Sequence, residues 1–357
     1  MPAIPQADPD DEVDVLDDAA DEPTIFRYDI TAYGADYPVD GLVKRLQNED
    51  IIVPPFQRGY IWPSSRAIRF IESLLLGLPV PGVFLSKEPD SGKLLVIDGQ
   101  QRLKTLQFFY EGTFGEKRFR LKEVVSEFDG KTYATLDAED RRRLDDSILH
   151  ATIVQQNEPS EDQSSIFHIF ERLNTGGVLL QAQEIRACIH HGDFSALLSE
   201  LNGHNTWREI YGPPSARMKD QELILRFLAL HCERTDYRRP MKEFLNKFMA
   251  GNKMLQRRPG AQLTGVFRRT IDCIRNAIGA RAFRPERTLN AAVYDAVMVG
   301  VASRLESNRE PDDAKLAEAY ERLLSDGDFQ EATTKATADN QAVDRRISLA
   351  IAAFNGV

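Results

Sequence analysis

Leu94-Leu95-Val96-Ile97-Asp98-Gly99-Gln100-Gln101-Arg102-Leu103 is the stretch whose reading decides the fold. Four apolar residues rich in β-formers run straight into Asp-Gly, and two amides and an arginine follow where a helix should start. The pattern predicts a buried strand that turns sharply into a helix. Such a corner suits an anion, because the helix start carries unpaired N–H groups and a partial positive charge. Gly99 would let a phosphate approach the backbone, and Arg102 could reach it with its guanidinium fork. Asp98 could hold a metal, a ribose hydroxyl or a backbone N–H. Asp-Gly at a strand end is equally an ordinary turn, with Asp98 as a helix cap. The familiar phosphate loops G-x-x-x-x-G-K-[ST] and G-x-G-x-x-G do not occur.

Upstream, residues 39–48 read as a helix and 51–53 as a strand. Pro54-Pro55-Phe56-Gln57-Arg58-Gly59-Tyr60-Ile61-Trp62-Pro63 then forms a rigid loop presenting two aromatics, an amide and an arginine. Tyr60 and Trp62 fit either base stacking or plugging of the core. Ser64 or Ser65 should cap a helix carrying Ile68, Ile71, Leu74 and Leu75 and ending at Gly77, and residues 83–86 read as a strand. A hairpin over 88–93 leads back into the Leu94 strand, and the helix from Gln100 closes at Gly112. Downstream, 136–149 reads as a solvated helix and 151–155 as a last short strand, with a capping box at Ser160–Gln163. Helices are expected at 166–173, 184–190, 221–232, 241–250, 263–278, 290–305, 312–325 and 344–354, with polar connections between them.

The formal charge of −10 is concentrated at one end. Residues 1–22 hold nine acids and no Lys or Arg, so the remainder carries 45 basic against 46 acidic residues and argues neither for nor against nucleic acid. That end reads as a disordered acidic tail, a solubilising segment or a DNA-mimicking arm. Cys188, Cys232 and Cys273 form no C-x-x-C pair. With no 18-residue apolar run, they point to a cytoplasmic protein. The expected architecture is α+β: a tail over 1–23, a small mixed α/β domain over 24–158 and a mainly helical domain over 159–357.

Among chemical candidates, Phe56-Gln57-Arg58 and the Asp98–Arg102 corner flank one helix-plus-hairpin unit, which a compact domain can bring to one pocket. Asn174-Thr175-Gly176-Gly177 reads as a helix stop. Glu184 and Arg186 read as an exposed pair, His168 as a satisfied, partly buried histidine, and His190-His191 as partners of a helix C-terminus. No H-E-x-x-H or zinc spacing occurs among the six histidines.

Val53–Trp62 and Ile97–Leu106 together resemble the N-terminal domain of GmrSD-type (type IV) restriction enzymes. Ile169–Gly177 and Asp220–Leu228 add to the resemblance in the family's order, over roughly residues 35–250. The resemblance implies a ParB/sulfiredoxin-like fold whose Asp-Gly-x-x-Arg corner binds nucleotide phosphates, and a role in prokaryotic defence against foreign DNA. By motif match, Gln57, Arg58, Asp98, Gly99, Gln100, Gln101, Arg102 and Asn174 become nucleotide-site residues, with Asp98, Arg102 and Arg58 in catalytic roles. The expected activity is NTP binding and hydrolysis with Mg²⁺, working with DNA. Many members continue into a His-Asn metal nuclease domain, but here no histidine follows His231, so cleavage would fall to a partner nuclease. The alternatives are a non-catalytic DNA-binding sensor subunit and a ParB-like nuclease cutting through the same corner.

Overall fold

The computed structural model describes residues 13–14, 29–53, 60–88, 91–158, 164–173, 181–306 and 311–357. The packing divides the chain into two units: residues 27–179, and residues 1–26 with 180–357. The architecture is α+β. Of the acidic tail, only β1 (Val13–Asp14) is described, and it is a short strand rather than coil, paired in parallel with Leu289–Asn290 of its own unit.

The 27–179 unit opens with β2 (Asp29–Pro38), α1 (Val39–Gln47) and β3 (Ile51–Ile52). Next come α2 (Ser64–Leu75), β4 (Val83–Lys87), β5 (Leu94–Asp98) and α3 (Gln100–Glu111). A small hairpin of β6 (Thr113–Phe114) and β7 (Lys117–Arg118) leads to α4 (Ala138–Asp145), β8 (Ile148–Glu158) and α5 (Ser164–Leu173). The five long-range strands form one mixed sheet in the order β2-β8-β4-β5-β3. β5 pairs antiparallel with β4 and parallel with β3, while β8 pairs parallel with β4 and antiparallel with β2.

The continuous apolar run of β5 has a direct cause: both of its faces are covered. Leu94 and Val96 lie in the core formed with α1, α2 and α3. Leu95 and Ile97 are equally buried and alternate to the opposite face, and α5 packs on β5 and β8 with Ile166, Phe167 and Phe170 buried. α5 therefore belongs to the α/β unit, which carries that unit some twenty residues past the boundary expected at 158/159.

Two strands depart from the sequence reading. β8 runs for 11 residues rather than five and sits inside the sheet. β2, unforeseen, pairs with β8 along its whole length. It contains Gly34, Asp36 and Pro38, poor strand formers, and most of its side chains are exposed, so neither propensity nor alternation announces it. Gly34 has a packing reason: a Cβ there would lie 2.7 Å from the His150 ring. α2 begins at Ser64 with Pro63 in the cap position and no side-chain cap, so neither serine serves as expected.

The second unit is helical. It contains α6 (Ala182–Ile189), α7 (Asp193–Asn202), α8 (Asn205–Tyr211), α9 (Lys219–Glu233), α10 (Met241–Gly251) and α11 (Gly260–Ala277). β9 (Leu289–Asn290), α12 (Ala291–Leu305), α13 (Asp313–Ser325), α14 (Gly327–Thr334) and α15 (Asn340–Asn355) complete it. α7, α8 and α14 fall in stretches that read as connections. α12 is apolar and buried almost all round, so it is the axis of this unit. Asn290 caps it by accepting from Ala292 N at 2.9 Å and Val293 N at 3.0 Å. Gly300 lets α15 come close, since a Cβ there would meet Ala350 Cβ at 3.0 Å.

Candidate functional site

The carboxyl end of β5 turns into α3 through a single residue. Gly99 has φ +98°, a left-handed conformation that L side chains rarely adopt. A Cβ at Gly99 would also sit 2.4 Å from Val83 Cγ1 and 2.9 Å from Val83 Cβ, so neighbouring β4 excludes any side chain there. The glycine thus brings bare backbone to the start of a 12-residue helix.

Asp98 does not cap that helix, because no side-chain cap is present. Its Oδ2 instead accepts from Arg102 Nη2 at 2.7 Å, one helical turn on. Asp98 is 46% exposed and Arg102 14% exposed, so the guanidinium is held largely out of water by a carboxylate that is itself half in water. Arg102 Nε is buried and has no hydrogen-bond partner among the described residues. An aimed guanidinium with an unmatched N–H, beside a helix start, is equipped to bind an anion.

Gln101 does something its sequence position does not announce. Its Oε1 accepts from the backbone N–H groups of Ile61 at 3.0 Å and Trp62 at 3.2 Å. Thr105 Oγ1 donates to Gln101 O at 2.6 Å, which leaves the Tyr60 hydroxyl to donate to Thr105 Oγ1 at 2.8 Å. The Tyr60 ring meets Phe108 and Phe114 edge-on, and burial raises its hydroxyl pKa. Trp62 lies edge-on to Phe70, with the Arg66 guanidinium 4.6 Å from its ring centroid. Both aromatics pack on the core, which is the plugging role rather than base stacking. The end of the Pro-bounded loop is therefore tied to the first turns of α3 by Gln101 and Thr105. Thr105 and Tyr60 were invisible as partners because 45 residues separate them. Lys104, half-buried on the same helix, has its pKa lowered by desolvation. Gln57, Arg58 and Asn174 lie outside the described residues, as does Ser160–Gln163.

In the helical unit, Glu184 and Arg186 are both buried, correcting the expectation of an exposed pair. Glu184 Oε2 accepts from Arg217 Nε at 3.0 Å and Gln181 N at 2.7 Å. Arg186 donates to Asn246 Oδ1 at 2.8 Å and to Glu222 Oε2 at 2.9 Å. Both thus join buried networks. His190 is likewise buried, with its pKa pushed down to about 3 by desolvation and by Lys253 and Arg186, so at neutral pH it is uncharged and cannot serve as a cationic helix partner. His168 is partly buried as expected, with Nδ1 3.4 Å from Glu171 Oε2. Among the described residues no three His, Cys, Asp or Glu gather as a metal cluster, and no helix is long and apolar enough to cross a membrane.

The class is thus an α+β protein whose sheet-bearing unit holds an anion-suited strand–glycine–helix corner. Residues 39–191 match the family described as GmrSD restriction endonuclease, N-terminal domain, so this part of the chain is similar to that domain. The match contains the whole corner, Asp98–Arg102, and the loop tied to it. No curated protein matches the chain.

Proposed function

We propose that this is a restriction-type defence protein whose α/β unit binds and hydrolyses nucleoside triphosphates, working with DNA and a partner nuclease. The observation that carries the reading is left-handed Gly99 at the helix start, with Arg102 aimed by Asp98 and its Nε unmatched. Phosphate oxygens would lie against the backbone N–H groups of Gln100 and Gln101, with Arg102 as the charge partner. The Gln101 side chain keeps a different task, tethering the loop at Ile61 and Trp62. Arg58 stands only two residues before Tyr60, the anchored end of that loop, which suits it to add a second positive charge to the same phosphates.

Asp98 fits a divalent cation in part: it is the carboxylate at the corner, half-exposed, with Oδ2 already on Arg102. Mg²⁺ would take most of its oxygens from phosphate and water, as this ion commonly does, and would supply charge neutralisation. Calorimetric titration of the full chain with each of four NTPs tests the binding: wild type should bind at least one, and Arg102→Ala should lose it while remaining folded. Unchanged affinity in Arg102→Ala would remove the assignment.

A second reading, a non-catalytic DNA-binding sensor, is favoured by the engagement of Asp98 with Arg102, which leaves no general base at the corner among the described residues. Phosphate release from the four NTPs, with and without DNA, separates the two, because only the first reading expects turnover. Plasmid nicking lost in Asp98→Ala would instead favour a nuclease acting through the corner.

A further inference from the structure

At the opposite end of β5 from Asp98, a groove of about 310 Å³ opens on the α/β unit. Its lining comes from four adjacent strands and their flanks: Tyr33 and Tyr37 of β2, Ile153 of β8, Lys87 of β4, and Lys93 at the start of β5, with Arg45 of α1. Three inter-strand steps of about 4.8 Å give it a length near 14 Å. Backbone bonds pin its floor, with Asp50 N donating to Arg45 O and Leu94 N to Asp50 O, both at 2.9 Å. The turn carrying Lys93 is closed by Glu88 N donating to Lys93 O at 2.9 Å.

The groove gathers three cations along its lining. Several arginines elsewhere have carboxylate partners, as Arg208, Arg217, Arg226 and Arg268 do. Arg45, Lys87 and Lys93 make no ion pair, and Asp50 is the one carboxylate among the lining residues. Three cations thus face one concavity against a single carboxylate, in a chain whose charge outside its first 22 residues is close to neutral. Tyr33 stands in it 42% exposed, directly across from Ile153, an aromatic face that no described partner covers. Arg45 lies 5.5 Å from the Tyr37 ring centroid, which keeps its fork at the wall of the groove. Cations spaced along a groove with an open aromatic ring are what a single-stranded nucleic acid requires: charge for successive phosphates and a π-face for a base.

We propose that this groove binds a single-stranded nucleic acid, with Arg45, Lys87 and Lys93 on its phosphates and Tyr33 stacking a base. The groove begins about 16 Å from the corner, the length of five strand residues, so the two sites are separate. The proposal rests on the nucleic-acid part of the proposed function and is independent of its NTP part.

The test is fluorescence anisotropy of a short labelled oligothymidylate with the full chain over a range of salt, alongside NTP calorimetry on the same samples. Combined Arg45→Ala, Lys87→Ala and Lys93→Ala should weaken oligonucleotide binding at least tenfold. At about 0.7 per contact, it should also flatten the log–log salt slope by about 2. Tyr33→Ala should weaken binding severalfold without changing that slope, whereas Tyr33→Phe should retain it. NTP binding should be unaltered in every groove variant, and loss of it only in Arg102→Ala would leave this proposal standing. Unchanged oligonucleotide affinity in the triple variant would overturn it. So would equal binding of thymidine monophosphate and the oligonucleotide, which marks a free-nucleotide site. Equal competition by polyglutamate with no effect of Tyr33→Ala would also overturn it, marking a site for acidic polypeptide.

Discussion

The core of the helical unit and the corner of the α/β unit use the same pair of residue types, aspartate and arginine, in opposite ways. In the helical unit Asp295 is fully buried on α12 and bound by two arginines, with Arg226 Nη2 at 2.6 Å and Arg346 Nη2 at 2.8 Å. Asp220 is buried in the same manner, accepting from Arg208 Nη1 and Asn202 Nδ2, each at 2.9 Å. At the α/β corner Asp98 has one arginine and stands half in water; an unmatched Nε is common to Arg102, Arg208 and Arg346 and does not separate the sites. A closed network fixes helices relative to one another, and it tolerates no loss because any orphaned charge is then trapped away from water. An open pair is a poor staple but can exchange a carboxylate for an incoming phosphate. Buried Asp–Arg chemistry here is architecture, and half-exposed Asp–Arg chemistry is the candidate site.

The sharpest way to break this contrast is at Asp295. Asp295→Ala strands two guanidiniums, one of them fully buried, and should destabilise the helical unit by about 3–5 kcal/mol in denaturant unfolding. A loss below about 1 kcal/mol would mean the network is not closed. His190 sharpens the same side through pH. Its folded pKa of about 3 lies below the unfolded value of 6.5, so the unfolded chain takes up the proton first. The stability it protects is whole above about pH 6.5 and is lost as pH falls toward 3, by about 3 kcal/mol at pH 4. The difference between wild type and His190→Gln over that range isolates it, since the carboxylates titrate in both.

On the open side, Gly99→Ala should cost about 2–3 kcal/mol, from positive φ together with the overlap on Val83. Adding Val83→Ala removes only the overlap with Cγ1, since the Cβ at 2.9 Å remains, and should return a small part of the melting temperature. The smallest expected effect is on stability in Arg102→Ala. Removing an arginine from a pair with a half-exposed partner should change unfolding by under about 1 kcal/mol, even as nucleotide binding is lost. A large stability loss there would place Arg102 with the closed networks and remove the contrast.

Much of the corner was legible from residues 94–103. An apolar run ending in Asp-Gly specifies a strand end and a backbone reversal whatever surrounds it, and α3 and its stop at Gly112 followed as read. The long amphipathic helices were legible for the same reason, since helical periodicity is a local signal. β2 was not, because its stability comes from its pairing with β8 along Asp29–Pro38 rather than from its own residues. Glu184 and Arg186 looked like surface charges because charge alone does not reveal burial; their partners Arg217, Glu222 and Asn246 lie 33 to 60 residues away.

By itself, then, the sequence determined the local geometry: where the apolar strand ends, that a glycine follows Asp98, and that an arginine stands one turn into the helix. Only the tertiary structure decided what those groups face. It placed Val83 against Gly99, so that no other residue fits, and spent the Gln101 amide on the loop at Ile61 and Trp62. It also left the Asp98–Arg102 pair half in water while sealing the Asp295 pairs inside. The division has a physical cause: turns and helix starts are set by neighbouring residues. Burial and hydrogen-bond partnership are set by strands and helices far apart in the chain.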